Sequence, residues 1–284
     1  MKTSVLACID GSTYSPAVCD AAAWAALMMD APLTFLHISS KPQHPHRTDL
    51  SGSIGLGAQE SLLEELASID QKRGKLAQER GRQMLVAARE RAQSAGVAAP
   101  EKLQRHGGLV ETLTELEAGI RLLIMGKRGE AAAVASEHLG SHLERVIRAM
   151  HRPILVTTEG FRAPKSVMIA FDGSATTRKG VHMVADSPLF RGLPCHLVMS
   201  GADTAEARAL LAHSRQVLVS SGFEVQAVIL PGEPEGVLTR YQKEHGIDML
   251  IMGAYGHSRI RQLLIGSTTT EMLRKSTGPL LLLR

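Results

Sequence analysis

The chain repeats itself, and the repeat limits the possible folds more than any other feature of the sequence. Residues 8–12 read Cys-Ile-Asp-Gly-Ser and residues 170–174 read Ala-Phe-Asp-Gly-Ser, each closing an apolar run, Val5–Ile9 and Val167–Phe171. Leu122–Gly126 reads Leu-Leu-Ile-Met-Gly, and Met249–Gly253 reads Met-Leu-Ile-Met-Gly. Gly140-Ser141 returns as Gly266-Ser267, each 13 residues before a proline, Pro153 or Pro279, that opens a further apolar run. The offset is 162 at the Asp-Gly-Ser pair and 126 to 127 from Gly96 and Gly222 onward, so the first copy holds about 36 extra residues, roughly 39–80. Two related domains, 1–158 and 164–284, joined near Thr158–Pro164, are expected. The total of 284 residues suits two domains of ~150 each.

Within each copy, short apolar runs alternate with helical patterns. Val5–Ile9, Leu33–Ile38, Leu122–Met125 and Ile154–Val156 are apolar throughout and read as central parallel strands. Weaker strands lie near Lys102–Arg105 and Val225–Leu230, giving five per copy. Between the first two strands Ser15 offers a cap, Pro16 suits a first turn, and Val18, Ala22, Ala25 and Met29 recur at helical spacing. Gln83–Ala95 reads as another helix that stops at Gly96. Strand–helix alternation predicts a doubly wound α/β sheet in each copy. In the extra segment, Lys41–Asp49 reads as a Pro- and His-rich loop. Gln59–Asp70 reads as an added amphipathic helix with Leu62, Leu63, Leu66 and Ile69 on one side, suited to covering a sheet edge or to a subunit contact.

Composition removes several classes of function. Aromatic residues are only 3% of the chain, too few for a surface that stacks nucleic-acid bases. The apolar stretch Ala21–Met29 is far short of the ~20 residues that span a bilayer. Val5–Ile9, stopped by Asp10, is too short for the core of an export signal. Cys8, Cys19 and Cys195 form no CxxC pair, so a reduced, cytoplasmic protein is expected, with neither disulfide framework nor zinc knuckle. Residues 1–160 carry 18 Lys and Arg against 18 Asp and Glu, whereas 161–284 carry 14 against 10 and hold the whole net charge of +4. The excess is modest beside the basic face of a nucleic-acid binder, and any anion site is expected in the second half.

In an open α/β sheet, ligands bind beyond the carboxyl ends of the strands. Asp172 and Gly253 fall at such ends. After the fourth strand the second half reads Gly253-Ala-Tyr-Gly256, then nine residues, then Gly266-Ser267-Thr268. Glycines permit close backbone approach, and the free N–H groups of the helix opened by Ser267 attract phosphate. A hydroxyl there would donate to phosphate oxygen, and the Asp172 carboxylate would accept from a ribose hydroxyl or an adenine amine.

The spacing Gly253-x2-Gly256-x9-Gly266-Ser267, behind a strand-one Asp-Gly-Ser, resembles that of the ATP-binding universal stress proteins. The resemblance covers nearly all of both halves except the insert. It implies a five-stranded parallel sheet in 3-2-1-4-5 order in each half, the halves paired through their last strands as an intrachain pseudo-dimer. It implies a stress-response regulator binding ATP or another adenine nucleotide, with Mg as a companion ion and protein partners that the sequence does not name. Homodimerisation stays open; nucleic acid and membrane are not expected as partners. By the same resemblance the nucleoside falls to Asp172 and Ser200, and the phosphates to Gly253, Gly256, Gly266, Ser267 and Thr268. The matching first-half positions are Asp10, Ile38, Gly126, Gly129, Gly140 and Ser141.

The first half departs from the pattern. Ten residues, not nine, separate Gly129 from Gly140. Ser141-His-Leu-Glu144 is a capping box, so Glu144 would take N–H groups that a phosphate needs. Lys127 and Arg128 are offset by Glu130 and Glu137, whereas Arg259 and Arg261 meet no acid before Glu271. Gly52-Ser-Ile-Gly55-Leu-Gly57 imitates a dinucleotide loop but follows no strand. His44 with His46, and His138 with His142, read as solvated histidines, with no metal expected. No catalytic residue is assigned, because no general base or Ser/His/Asp set is placed by the sequence. The alternatives to a regulator are a slow ATPase or phosphoryl-transfer enzyme using the same site, and a nucleotide-free interaction scaffold.

Overall fold

Strand formation follows the apolar runs, and a strand apolar on both faces must be covered on both. The computed structural model describes residues 3–39, 56–129, 141–254 and 266–284. The first half contributes β1 (Ser4–Cys8), β2 (Leu33–Ser39), β3 (Glu101–His106), β4 (Ile120–Gly126) and β5 (Ile154–Thr157). The second contributes β6 (Val167–Ala170), β7 (Cys195–Ser200), β8 (Val225–Leu230), β9 (Met249–Gly253) and β10 (Leu280–Leu283). They form one ten-stranded sheet in the order β3-β2-β1-β4-β5-β10-β9-β6-β7-β8. Each half thus runs 3-2-1-4-5 with parallel neighbours, as expected. The halves meet at β5 and β10, which pair antiparallel with Leu281 opposite Leu155.

Alternate residues of each strand feed two core layers. Val5, Ala7, Leu155 and Leu281 point into one layer, under α1 (Ser15–Met29), α2 (Leu56–Ser94), α5 (Ala175–Asp186) and α6 (Ala205–Ser220). Leu6, Ile154, Val156, Leu280 and Leu282 point into the other, under α3 (Leu109–Leu116), α4 (Ser141–Ala149), α7 (Pro234–Glu244) and α8 (Ser267–Lys275). Both layers run through the β5–β10 seam without a break. At ~1.5–3 kcal/mol for each fully buried Leu or Ile, the seam is part of the core.

Helix ends on the opposite half secure the seam further. The Lys127 ammonium, in the loop after β4, donates to the Arg274 and Ser276 carbonyls at the end of α8 (2.7 and 3.0 Å). Arg284, after β10, donates to the Met150 and Arg148 carbonyls at the end of α4 (2.6 and 3.0 Å). Each cation sits where the helix dipole is negative. The connection near 158–164 is held as well, with Phe161 against Trp24 (ring centroids 5.5 Å apart) and Glu159 accepting from the Thr13 hydroxyl at 2.6 Å.

Two local expectations are corrected. Helix α1 takes Tyr14, not Ser15, as its N-cap. The Ser15 hydroxyl is drawn instead to the preceding turn, where it accepts from the Gly11 N–H (3.2 Å) and donates to Asp10 Oδ1 (3.5 Å). The stretches Gln59–Asp70 and Gln83–Ala95 are not separate helices but parts of α2, 39 residues long. Residues 71–82 contain no proline, and Gly74 and Gly81 each cost a helix only ~1 kcal/mol. Of the insert, residues 40–55, with the Lys41–Asp49 loop, His44, His46 and most of the Gly52–Gly57 motif, lie outside the described residues.

Candidate functional site

Parallel neighbours bring the carboxyl ends of β9, β6 and β7 to one edge of the second half. Ala170 is in register with Val198, two residues short of Asp172 and Ser200 respectively. Ile169 is in register with Ile251, two short of Phe171 and Gly253. Asp172, Ser200 and Gly253 therefore finish adjacent strands.

Asp172 is oriented by its own turn. Its Oδ1 accepts from the Ser174 N–H (2.9 Å) and the Thr177 hydroxyl (2.7 Å), while Ser174 caps α5 through the Thr177 N–H (3.2 Å). Gly173 holds φ +74°, a left-handed turn that costs a glycine nothing; Gly11 matches it at +77°. The carboxylate is exposed to solvent at the sheet edge.

The start of α8 is pinned to the end of β9. The Gly266 N–H reaches the Ala254 carbonyl at 3.4 Å, and the Thr269 hydroxyl donates to the Gly253 carbonyl at 3.1 Å. Gly266 is the N-cap, contributes no capping side chain, and the first turn holds no acid. Ser267, expected at the opening of this helix, is its first residue and is exposed; Thr268 is half-buried. The first N–H groups of a helix have no partner within it. Here the first turn holds two hydroxyls, Ser267 and Thr268, and no carboxylate, a donor set that suits a phosphate group. The set fits an adenine nucleotide: donors for phosphate at α8, an acceptor for ribose or adenine at Asp172. Gly256, Arg259 and Arg261 lie outside the described residues.

The first half closes differently. A Cβ on Gly129 would lie 2.8 Å from Asp10 Oδ2, so the chain after β4 runs against that carboxylate. Asp10 Oδ1 accepts from the Ser12 N–H at 3.0 Å. Ile38, near the end of β2, packs on the core. Gly126 ends β4, and the Lys127 that follows reaches the carbonyls at the end of α8. Burial, then the charge of Arg128, holds the Lys127 pKa below the usual lysine value. Helix α4 carries Glu144 in its first turn, paired with Arg148 at 3.4 Å. Gly140, Glu130, Glu137, His138 and the side chain of Ser141 lie outside the described residues.

Three contributors escaped the sequence reading. Thr177 and Ser15 each sit five residues after the turn aspartate, at the 162 offset, so aligning the copies would have paired them. Lys127 gave no signal, because its carbonyl partners lie in the other half. Burial pushes the thiols of Cys8, Cys19 and Cys195 up to about 12, with the charge of Asp10 adding to the effect at Cys8. None is a ready thiolate. A separate cavity of about 270 Å³ lies where β4 begins and before β5, lined by Met29, Leu122, Pro153, Phe190 and Leu281. Its lining is mostly apolar, with Arg121, Asp186 and Ser187 also on it. Among the described residues no helix is long and apolar enough to cross a membrane.

Comparison with known proteins bears on both halves at once. The model of the universal stress protein family matches residues 1–158 and 164–284. Universal stress protein Slr1230 of Synechocystis is 36% identical over 285 residues, covering 99% of each chain. A universal stress protein structure from Archaeoglobus fulgidus superposes with a TM-score of 0.70 at 17% identity, covering 99% of this chain and 98% of that one. A second Archaeoglobus fulgidus universal stress protein, solved in complex with dAMP, matches 43% of this chain and 100% of its own, with a TM-score of 0.35 and 18% identity.

Proposed function

The chain belongs to the universal stress protein family, with two such domains in tandem, and on that premise we propose that it is a cytoplasmic stress-response regulator that binds adenine nucleotide, ATP foremost, in its second half. The observation that carries this reading is the opening of α8. It combines a glycine N-cap, no acid in the first turn and hydroxyls at Ser267 and Thr268, pinned beside the strand end that neighbours Asp172. Phosphate oxygens would accept from the first N–H groups of α8 and from the two hydroxyls. Asp172, its Oδ1 fixed by Ser174 and Thr177, would accept from the nucleoside, with Ser200 beside it at the end of β7. Gly253 and Gly256 would let backbone approach the phosphates.

Two donors already engage the Asp172 carboxylate, an arrangement suited to orienting a ligand and poorly suited to deprotonating water. That supports binding without turnover, with the signal passed on through conformation or protein partners. Calorimetric titration of the purified chain with Mg-ATP, run beside a phosphate-release assay, tests the reading. Saturable heat without sustained phosphate release is expected, and Gly256→Val removes most of the heat. Steady phosphate release abolished by Gly256→Val would establish the enzyme instead, and no heat at all would leave a scaffold.

A further inference from the structure

Helix α2 is longer than the fold of its half requires. From Gln78 onward it belongs to the body: Gln104 donates to the Gln78 carbonyl at 3.0 Å, and Leu85, Ala88 and Ala92 are buried. A Cβ on Gly81 would fall 2.4 Å from His37, so the helix presses on the sheet there. Before that point it stands clear. Every residue from Glu65 to Arg80 is exposed except Asp70, which is half-buried. The matching helix of the second half, α6, has 16 residues against the 39 of α2.

The projecting part carries apolar side chains that nothing in its own half covers. Five large hydrophobic residues are exposed among the described residues, and three lie here: Leu66 (42%), Ile69 (39%) and Leu76 (71%). At ~100° per residue the three fall within an arc of about 80°. With Leu62 and Arg73 they continue a four-three-four-three spacing, the seam of a two-helix coiled coil broken once by a charge. A free helix with Gly74 in its middle is marginal in water, so such a seam gains from a partner.

Charge identifies the partner. Residues 56–70 contain four acids (Glu60, Glu64, Glu65 and Asp70) and no base. Residues 71–82 contain five bases (Lys72, Arg73, Lys75, Arg80 and Arg82) and one acid, Glu79, which pairs with Arg82 at 2.7 Å. The net charges are therefore equal and opposite. A second copy laid parallel would set acid on acid and base on base. Laid antiparallel, it sets each acidic stretch on a basic one around a two-fold axis near residues 70–71.

We propose that the projecting part of α2 is a self-association arm, through which two copies of the chain pair antiparallel by the Leu66/Ile69/Leu76 stripe. The interface is isologous and closes at a dimer. It is independent of the nucleotide site and of the β5–β10 seam, which already joins the halves within one chain.

Light scattering on the full-length chain across a concentration series tests the proposal. The unaltered chain is expected to form dimers that weaken as salt is raised. Leu66→Asp with Leu76→Asp should leave monomers. Lys72→Glu, Arg73→Glu and Lys75→Glu together make the arm acidic, and Glu65→Lys with Asp70→Lys makes it basic; each set should weaken self-association by about tenfold or more. Mixing the acidic and basic variants in equal amounts should restore dimers, which also shows that their arms are folded. An unaltered chain that stays monomeric, a dimer indifferent to both charge sets, or a mixture that fails to pair would overturn the proposal.

Discussion

The two halves share strand order and core layers, yet they differ at the edge where a ligand would sit. In the second half, α8 opens on Gly266 with no acid in its first turn, beside a strand end next to that of Asp172. In the first half, α4 carries Glu144 in its first turn, and Gly129 lies against Asp10. Lys127, a cation of the loop after β4, is engaged by the carbonyls that end α8. Duplication therefore copied the apolar frame faithfully and left the charges at the helix ends to diverge. The first half now supports the second half's helix where the second half, in our reading, holds the ligand.

The largest effect is expected at the seam. Leu155 and Leu281 face each other there, 0% and 3% exposed. Leu155→Ala and Leu281→Ala should each cost about 2–5 kcal/mol, in one cooperative denaturant transition shared by both halves. Two separate transitions would show that the halves do not fold as a unit. The next effect concerns the ligand. Gly266→Asp places a carboxylate at the N-cap of α8, which should stabilise the helix slightly while lowering ATP affinity about tenfold or more. Unchanged affinity in the calorimeter would remove phosphate from that helix end.

Smaller effects sharpen the comparison. Lys127→Met takes a cation from the α8 carboxyl end and should cost about 0.3–1 kcal/mol, up to ~2 because the site is partly buried. If thermal melts show no loss, the link between the first-half loop and α8 is idle. The smallest effect is in pH. His196, on β7, meets the Tyr241 hydroxyl at 3.0 Å, and burial, then the charge of His245, holds its pKa below the usual histidine value. The folded state therefore binds the proton less tightly than the unfolded chain. Stability is full above the unfolded histidine pKa of ~6.5 and declines as pH falls through it toward the folded value. The first half has Thr34 at the matching position. His196→Thr should flatten the dependence of melting temperature on pH across that window, and a slope left unchanged would rule out His196 as its source.

Much of this was legible in the sequence where the signal is local and periodic. The 162 offset located β1 with β6 and β2 with β7, because Val5–Ile9 and Val167–Phe171 are apolar throughout and closed by the same Asp-Gly-Ser. Only the amphipathic stretches Gln59–Asp70 and Gln83–Ala95 of α2 were legible, because residues 71–82 between them are mostly polar and lack an apolar stripe of their own. Lys, Arg, Leu, Ala, Gln and Glu nonetheless carry the helix through Gly74 and Gly81. Ser15 was misread as a cap because the pull of the Asp10 turn on its hydroxyl depends on tertiary placement. The role of Lys127 was illegible for a stronger reason: its partners lie 147 and 149 residues away, across a seam that only the folded sheet creates.

One nucleotide per chain, held by the second half, is what the proposed site requires. Calorimetric titration of ATP into the unaltered chain, Asp172→Ala and Asp10→Ala, with folding checked by circular dichroism, measures this directly. A stoichiometry of one is expected, with binding lost or strongly weakened by Asp172→Ala and largely kept by Asp10→Ala. Two sites per chain, or a greater loss from Asp10→Ala than from Asp172→Ala, would contradict it.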